Sequence, residues 1–386
     1  MVLVICQAFA MSGTVMVVAM SGLAGSVLAE DKSLATVPFA LQFVGTGLAT
    51  MPASHLMGII GRRWGFTLGQ LIGIVGASIA CWSLFEGSFL WFAVGSFVLG
   101  IHNAFWQYYR FAAADTAAPE FKAKAISYVM TGGVIAAIAG PQLFKIFNDY
   151  FAPVPYAGAY AVIVILCCLT IVLLQFVRIP RPKINKLDKS AGRSRLEIAR
   201  QPVFIIAVLA AMVGYGTMNL VMTATPLAMQ FCGFTPIDSA TVIQWHALAM
   251  FAPSFFTGYL IKRFGVINII LVGTLANVAC MAINLSGINF SNFIGGLILL
   301  GIGWNFMFIG GTTLVTEAYR PEETAKVQGM NDFLVFTVVA MSSFGSGVLH
   351  AKLGWAAVNM VVAVPVFFVF AGAIWFRTRQ AAAPAP

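Results

Sequence analysis

The sequence carries one short stretch twice: Gly58-Ile59-Ile60-Gly61-Arg62-Arg63-Trp64-Gly65 and, 200 residues further on, Gly258-Tyr259-Leu260-Ile261-Lys262-Arg263-Phe264-Gly265. In each copy an apolar run reaches a glycine, three residues pass, two cations follow, and an aromatic residue and another glycine precede the next apolar run. Glycines and paired cations between two apolar segments predict a helix-turn-helix hinge at a membrane surface. A repeat of this spacing in a chain of 386 residues predicts two homologous halves.

Residues on either side of this stretch repeat at nearly the same spacing. Gln42 and Gln244 are 202 residues apart, and so are Asn103 and Asn305. Further pairs with an offset of 201 or 202 are Pro52 with Pro253, Gly100 with Gly301, Asp115 with Glu317, Pro119 with Pro321, Glu120 with Glu322, and Lys124 with Lys326. The duplication therefore extends over most of the chain.

The composition predicts a membrane environment. Hydrophobic residues make up 60% of the chain and charged residues 9%, and the mean hydropathy is +0.90. Soluble domains average about 45–50% apolar and about 25% charged residues, so water is not the solvent for most of this surface. Only helices and closed barrels satisfy the backbone in lipid, and long apolar runs without alternation favour helices. We predict an all-α, polytopic membrane protein.

Twelve segments are apolar and long enough to span a bilayer, which requires about 20 residues. They are residues 2–28, 34–59, 66–85, 88–112, 125–147, 156–177, 202–229, 240–261, 267–286, 292–314, 327–349 and 355–376. The first segment lacks a basic region and is too long for a cleaved signal peptide, so we predict that it stays as a helix. The predicted domains are an N-terminal six-helix bundle at 1–177, a cytoplasmic basic linker at 178–201, a C-terminal six-helix bundle at 202–377 and a cytoplasmic tail at 378–386.

The positions of the basic residues predict the orientation. With both termini in the cytoplasm, the outer loops keep only Lys32, Lys145 and Lys352, and the other lysines and arginines face inward, as the positive-inside rule requires. The longest basic segment is the linker, between Arg178 and Arg200. In this topology it lies on anionic lipid, and we favour that interpretation over the binding of nucleic acid.

The hinge stretch and the two six-helix halves resemble the major facilitator superfamily of secondary transporters, over essentially the whole chain. The signature loop of that family has a glycine, three residues, an aspartate, an arginine, any residue, a glycine and an arginine. Gly58, Arg63 and Gly65 match it, whereas Arg62 stands where the aspartate is expected, and the second copy has Lys262 at that position. The resemblance implies transport by alternating access and, as is usual in this family, a monomer.

Polar and aromatic side chains near the middle of the predicted helices are candidates for a substrate cavity. Substrate sites of duplicated transporters lie near the bilayer midplane, and a buried amide is costly in lipid without a partner. The candidates are Gln42, Asn103, Trp106, Gln107, Asn219, Gln244, Trp245, Trp304 and Asn305. The alternative is that these groups only bond neighbouring helices. We favour the cavity for the symmetric pair Gln42 and Gln244, and the aromatic rings suit a flat solute.

Titratable groups are few within the predicted helices. No acidic residue lies at the centre of a helix, and Asp332 lies about one turn into the eleventh segment. This favours a neutral or weakly anionic solute, since a cation would require a central carboxylate. His102 and His246 are embedded groups that change charge near neutral pH, so Asp332 and the two histidines are candidates for proton coupling. Neutral, hydrogen-bonded histidines and facilitated diffusion without a proton are the alternatives.

Charges of opposite sign recur at the predicted cytoplasmic ends of both halves. Arg63 and Asp115 occupy these places in the first half, and Arg263 and Glu317 occupy them in the second. We hypothesise that each pair is an ionic latch that holds the cytoplasmic side closed and separates when the transporter opens inward. The alternative is a set of solvated loop charges, worth roughly 0–1 kcal/mol per pair.

These features predict a carrier for a small organic nutrient or vitamin in the cytoplasmic (inner) membrane of a bacterium. A flavin such as riboflavin suits a cavity lined by amides and aromatic rings, and the chain resembles bacterial uptake members of the superfamily. The alternative is efflux of drugs or metabolites by a proton antiporter. Gly140-Pro141 is similar to part of the antiporter motif, but Ser96 stands where the arginine of such antiporters is expected.

An integral membrane enzyme is disfavoured. The sequence has no G-x-S-x-G, no H-E-x-x-H and no phosphate-binding loop. Its six cysteines lie mostly within apolar segments and lack the spacing of metal ligands, so we assign them to packing. We therefore expect no enzymatic activity, no metal site and no cofactor.

Overall fold

The structure is a computed structural model that describes residues 1–115, 122–177, 192–320 and 323–382, without the side chains of 111, 114–115, 122–127, 324–325 and 380–382. By their internal packing the residues form two compact units. Unit 1 combines Met1–Asn185 with Pro226–Gln244, and unit 2 combines Lys186–Thr225 with Trp245–Pro386. Residues 226–244 thus pack with the first half, although they follow the predicted linker. The domain boundaries inferred from the sequence stay a prediction.

Within the described residues every regular element is helical, as predicted for an all-α protein. The helices are α1 (Val2–Leu28), α2 (Val37–Ile60), α3 (Arg62–Phe85), α4 (Phe89–Trp106), α5 (Tyr109–Asp115), α6 (Lys122–Phe147), α7 (Ala157–Gln175), α8 (Arg195–Ala199), α9 (Pro202–Phe231), α10 (Pro236–Phe251), α11 (Ser254–Phe264), α12 (Val266–Ser286), α13 (Phe290–Val315) and α14 (Thr324–Ala382). A 3-10 helix, Lys32–Leu34, connects α1 to α2. Ten helical spans in this part of the chain are long and apolar enough to cross a membrane.

The number of crossings depends on how two stretches of the second half are divided. α14 contains the predicted segments 327–349 and 355–376 and leaves helical geometry at Gly354, where φ is 77°, a value that glycine adopts readily. The predicted segment 240–261 is divided between α10 and α11, which are each too short to be counted as a span. The ten spans are consistent with the predicted fold of twelve helices if α14 crosses twice and α10 and α11 together cross once. The number twelve itself stays a prediction.

In unit 1, α1 packs on α6 and α7, and α4 packs on both α2 and α3. The close approach of α2 and α4 requires Gly100, because a β-carbon there would overlap the carbonyl oxygen of Gln42. Thr46 adds a bond between the same helices, since its Oγ1 donates to the Gly100 carbonyl oxygen at 2.9 Å. In lipid, such close packing and interhelical hydrogen bonds hold helices together.

In unit 2, α12 packs on α13 and α14, and α11 contacts α12 and α13. Gly301 has the role that Gly100 has in unit 1: a β-carbon at Gly301 would lie 2.7 Å from the carbonyl oxygen of His246 on α10. The two glycines are a repeated pair in the sequence. The duplication is therefore also a duplication of helix packing.

The repeated hinge stretch forms a glycine turn in both copies, but the two turns are not at equivalent residues. In the first copy α2 ends at Ile60 and α3 begins at Arg62, and Gly61 between them has φ 89° and ψ 151°. In the second copy α11 continues to Phe264, and Gly265 makes the turn with φ 85° and ψ 147°. The second turn is one helical turn later relative to the repeat.

The identity of residue 261 explains this offset. It is isoleucine, and a β-branched residue rarely adopts a positive φ, so the helix continues to the next glycine. As a result Lys262 and Arg263 lie in the last turn of α11, where the helix dipole favours cations. Arg62 and Arg63 instead lie in the first turn of α3, where the dipole disfavours them. The two copies are thus alike in sequence and different in electrostatic environment.

Candidate functional site

Five aromatic rings from four helices of unit 2 form a group that is called the aromatic cluster below. It consists of Tyr215, Phe251, Trp304, Phe308 and Phe336. Trp304 stacks on Phe308 with ring centroids 5.2 Å apart and planes inclined by 12°. Tyr215 and Phe251 meet Trp304 edge-on at 5.6 and 6.1 Å, and Phe336 lies 6.1 Å from Tyr215. All rings except Trp304 are partly exposed, so the cluster has surfaces on which a flat solute can stack.

The indole of Trp304 is the least satisfied polar group of the cluster. The residue is 7% exposed, and its Nε1 is buried with no hydrogen-bond partner among the described residues. A buried donor without an acceptor costs about 1–3 kcal/mol. In the first half the position 202 residues earlier is His102, so this tryptophan is specific to the second half.

Asn305 binds the backbone where α10 ends and α11 begins. Its Nδ2 donates to the Met250 carbonyl oxygen at 2.6 Å and to Ser254 Oγ at 2.7 Å. Its Oδ1 accepts a hydrogen bond from Thr257 Oγ1 at 2.6 Å. The side chain is fully buried, and its amide group forms hydrogen bonds with residues before and after the break between α10 and α11. These bonds hold α10, α11 and α13 together.

Asn219 makes a second tie, between α9 and α14. Its Nδ2 lies 3.1 Å from the Val339 carbonyl oxygen, 3.0 Å from Ser342 Oγ and 2.5 Å from Ser343 Oγ. The side chain is fully buried, and its Oδ1 has no partner among the described residues, nor has Thr223 Oγ1 one turn further along α9. The amide is thus bonded on its donor side only.

The candidates of the first half have fewer interhelical bonds. Gln42 is 3% exposed, and its Oε1 has no partner among the described residues. Asn103 Oδ1 accepts a hydrogen bond from Trp106 Nε1 at 2.9 Å within the same helix. Gln107 follows the end of α4 and is half-buried. Asn103 therefore does not repeat the contacts of Asn305, although the two residues are a repeated pair.

Gln244 on α10 bonds to α6 within unit 1. Its Oε1 accepts a hydrogen bond from Gln142 Nε2 at 2.8 Å. Lys145, three residues later on α6, interacts electrostatically with Asp238, which lies in the first turn of α10. Trp245, the next residue after Gln244, is 47% exposed. Two polar interactions thus connect α6 to the first part of α10.

Both embedded histidines bond to the backbone of a neighbouring helix. His102 Nδ1 lies 2.9 Å from the Gly69 carbonyl oxygen, and His246 Nδ1 lies 2.7 Å from the Leu297 carbonyl oxygen. Because a carbonyl only accepts, each Nδ1 carries a hydrogen. Asp332 is exposed, and its Oδ1 accepts a hydrogen bond from Asn331 Nδ2 at 3.1 Å. The three residues proposed for proton coupling thus lie in different environments.

The predicted latch residues have the following surroundings. Arg63 Nη2 donates to Gln175 Oε1 at 2.6 Å. Arg263 is placed over the ring of Phe264 and lies 3.4 Å from the hydroxyl of Tyr259. Glu317 is exposed on one side, and partial burial of its carboxyl raises the pKa. The side chain of Asp115 lies outside the described residues, so the Arg63–Asp115 pair has no structural test.

Glu323, which the sequence analysis did not single out, is paired with Arg193 of the predicted linker. Arg193 Nη2 donates to Glu323 Oε2 at 2.7 Å, and Arg193 Nε donates to Oε1 at 3.0 Å. The backbone N–H groups of Arg193 and Arg320 donate to the same carboxylate at 2.7 and 3.0 Å. The side chain of Glu323 is fully buried. The hydrogen bonds from Arg193 hold the pKa of Glu323 well below its ordinary value.

Further bonds complete this linker dock, a name used below for Arg193, Gln201, Ala318, Glu323 and Lys326. Arg193 Nη2 and Gln201 Nε2 both donate to the Ala318 carbonyl oxygen, and Lys326 Nζ donates to the Arg193 carbonyl oxygen. The pair has no repeat in the first half, since position 121 is phenylalanine. Only the spatial arrangement identifies it.

Thiols and metal ligands add no further site in the part of the chain that the structure describes. All six cysteines are free. No group of three or more histidine, cysteine, aspartate or glutamate residues there has the arrangement of a metal site.

Long apolar helices with few, internally bonded polar groups define a polytopic α-helical membrane protein. The sequence profile of the Major Facilitator Superfamily matches residues 2–343 and 245–386. The chain therefore belongs to the Major Facilitator Superfamily, a family of membrane transporters, as its repeated hinge stretch predicted.

Individual relatives agree with this assignment. The chain is 42% identical over 365 residues to the riboflavin transporter RfnT of Brucella anthropi, covering 94% of this chain and 91% of RfnT. It is 27% identical to the uncharacterized MFS-type transporter YddS of Bacillus subtilis, covering 92% of this chain and 86% of YddS. It is 25% identical to the transporter YdeG of the same species, covering 97% and 91%.

Solved structures show the same fold at low sequence identity. A POT family transporter in complex with 5-aminolevulinic acid superposes with a TM-score of 0.75 at 13% identity, covering 98% of this chain and 95% of that one. An auto-inhibited POT family peptide transporter superposes with a TM-score of 0.67 at 13% identity, covering 100% and 97%. At this identity the likeness concerns the fold alone.

Proposed function

We propose that this chain transports riboflavin, or a flavin with the same ring system, across the cytoplasmic membrane. The observation that carries the proposal is the 42% identity to a riboflavin transporter over almost the full length of both chains. The aromatic cluster supports it, because a flat tricyclic ring system gains stacking energy against aromatic faces and edges. The scarcity of embedded charges supports a neutral or weakly anionic solute, because a cationic solute would require an embedded carboxylate.

We further propose that the aromatic cluster around Trp304 contacts the ring system of the solute. Trp304 has a buried polar atom without a partner among the described residues, as a ligand-binding group has before the ligand arrives. Asn219 and Asn305, by contrast, use their amides to hold helices together. We assign these two to stabilising the fold.

The polar contacts between α6 and α10 suggest how the outer side closes. In the predicted topology, Gln142, Lys145, Asp238 and Gln244 lie toward the outer surface. We propose that the bond between the two glutamines and the attraction between Lys145 and Asp238 form an outer latch that separates when the transporter opens outward. The predicted cytoplasmic latches, Arg63 with Asp115 and Arg263 with Glu317, would close in that second state.

Proton coupling is a separate proposal. The bonds of His102 and His246 to backbone carbonyls support a structural role for both rings, which leaves Asp332 as the coupling candidate. Uptake into proteoliposomes with and without an imposed pH gradient decides the matter. Identical rates would exclude coupling, and a gradient-dependent rate that Asp332→Asn abolishes would establish it at this residue.

The remaining assignments follow the sequence. We propose an inner-membrane location in a bacterium, both termini in the cytoplasm, and a monomer as the transporting form. A cysteine introduced into the 178–201 linker, in a background without the six native cysteines, tests the orientation: reagents that do not cross membranes should label it only from the cytoplasmic side.

The proposed function is tested by uptake of radiolabelled riboflavin into a riboflavin auxotroph that expresses the chain. Growth at low external riboflavin and saturable uptake are the expected results. Trp304→Ala should abolish uptake, whereas Trp82→Ala, at a ring that is 47% exposed and is not a cavity candidate, should not. Absence of uptake by a well-expressed chain would overturn the proposal, and a lower cellular riboflavin content would instead indicate the alternative, efflux.

A further inference from the structure

The buried indole N–H of Trp304 has no acceptor within the aromatic cluster, and its surroundings are rings on three sides. Phe308 covers one face of the indole at 5.2 Å, and Tyr215 and Phe251 approach it edge-on. Tryptophan has one polar atom, and that atom normally finds a partner when it is buried. An unused donor in an otherwise apolar group is therefore available to a ligand that brings an acceptor.

The neighbouring residue on α13, Asn305, uses both atoms of its amide. Asn305 donates to two acceptors and accepts from one donor. At the position equivalent to Trp304 in the first half, His102 uses its ring nitrogen on the Gly69 carbonyl oxygen. The indole of Trp304 is thus unpaired next to a side chain that bonds fully, and its counterpart in the first half is bonded.

The break between α10 and α11 lies beside the aromatic cluster. Phe251 is the last residue of α10, and Pro253 follows two residues later. A proline has no backbone N–H and interrupts a helix. Among the residues of the cluster, Phe251 is therefore the one that lies at a helix end.

We propose that Trp304 Nε1 is a specificity-determining donor that binds an in-plane carbonyl oxygen of a planar heteroaromatic solute, while the neighbouring rings stack on that solute. The inference rests on the proposed transport of a flavin and adds the atom that selects it. A ring system without a carbonyl gains the stacking but not the hydrogen bond. Selection therefore operates by the loss of one bond at a site that excludes water.

The experiment is a binding titration of the purified full-length chain that follows quenching of riboflavin fluorescence. Trp304→Phe keeps an aromatic ring and removes the N–H. We expect it to weaken riboflavin binding about 5- to 10-fold, the effect of losing one hydrogen bond. Anthracene, a planar tricycle that has no hydrogen-bond acceptor, should bind the unmodified chain and the variant equally.

A matched control exists at Trp355, whose Nε1 is also buried without a partner in the described residues and whose ring packs against Phe293 at 5.3 Å, apart from the cluster. Trp355→Phe should leave riboflavin binding unchanged. If Trp304→Phe fails to fold, replacement of Trp304 by 3-benzothienylalanine removes the N–H with almost no change in shape.

The outcomes separate this inference from the proposed function. No binding of riboflavin by the unmodified chain would overturn the proposed function. Binding that Trp304→Phe leaves unchanged, or weakens equally for riboflavin and anthracene, would overturn the role of the N–H and leave only ring packing. Selective weakening for riboflavin alone would support it.

Discussion

Replacing Asn305 by alanine should destabilise unit 2 by about 3 kcal/mol. Three hydrogen bonds of 2.6–2.7 Å are lost, to Met250, Ser254 and Thr257. Side-chain bonds between membrane helices average about 0.6 kcal/mol each, which gives about 2 kcal/mol. The Met250 carbonyl oxygen also loses a buried donor, at a cost of about 1 kcal/mol or more. On the scaling of soluble domains, this corresponds to a fall in apparent Tm of about 6–12 °C.

The assay is thermal unfolding of the purified chain in detergent, monitored by the loss of monodisperse protein. Asn268→Ala is the control, because Asn268 is only half-buried and makes one bond, to the carbonyl oxygen of Phe264 in the preceding turn of the chain. Its apparent Tm should change by about 1 °C or less. If the two variants unfold at the same temperature, Asn305 does not hold the helix break, and a substrate contact becomes the better explanation for its burial.

Three further predictions concern latches and charge. Cross-linking Gln142→Cys to Gln244→Cys with a short bifunctional reagent, in a background without the native cysteines, should stop transport until the link is cleaved; unchanged transport would exclude an outer latch. Asp115→Arg should reduce transport, and adding Arg63→Asp should restore it; a double variant no better than the single one would exclude the cytoplasmic latch. Because the pKa of Glu323 is depressed, its stabilising contribution is present above pH 4.5 and decreases as the pH falls below that value; the Tm difference between the unmodified chain and Glu323→Gln should be constant from pH 8 to about pH 5 and shrink below it.

The repeat predicted the fold because it records helix packing directly. Gly100 and Gly301 are 201 residues apart and both permit the fourth helix of a half to approach the second. The hinge glycines also mark real turns. Their exact places did not follow from the repeat, because the turn requires glycine at a positive φ and the first copy has an additional one at Gly61, where the second copy has Ile261.

The roles of the polar candidates could not be read from the sequence for a related reason. Asn103 and Asn305 occupy equivalent positions, yet Asn103 bonds to Trp106 on its own helix and Asn305 bonds across a helix break. The break depends on Pro253, whereas the equivalent Pro52 lies inside an unbroken α2. A repeat therefore predicts where a side chain lies more reliably than what it bonds to, since the acceptors it finds depend on the local backbone.

The bonds of the linker dock could not be predicted from the sequence. The charges of residues 178–201 predict one basic tether on lipid, because they have the sign that anionic lipid attracts. For Arg193 this prediction is wrong: Arg193 binds a fully buried carboxylate, and Ile198 in the same segment is fully buried in unit 2. A buried ion pair loses hydration on both partners and persists only when additional bonds compensate, which the backbone donors of Arg193 and Arg320 and the contacts of Lys326 provide. The C-terminal part of the linker is therefore a component of unit 2, on which the side chains of Arg195 and Arg200 remain exposed.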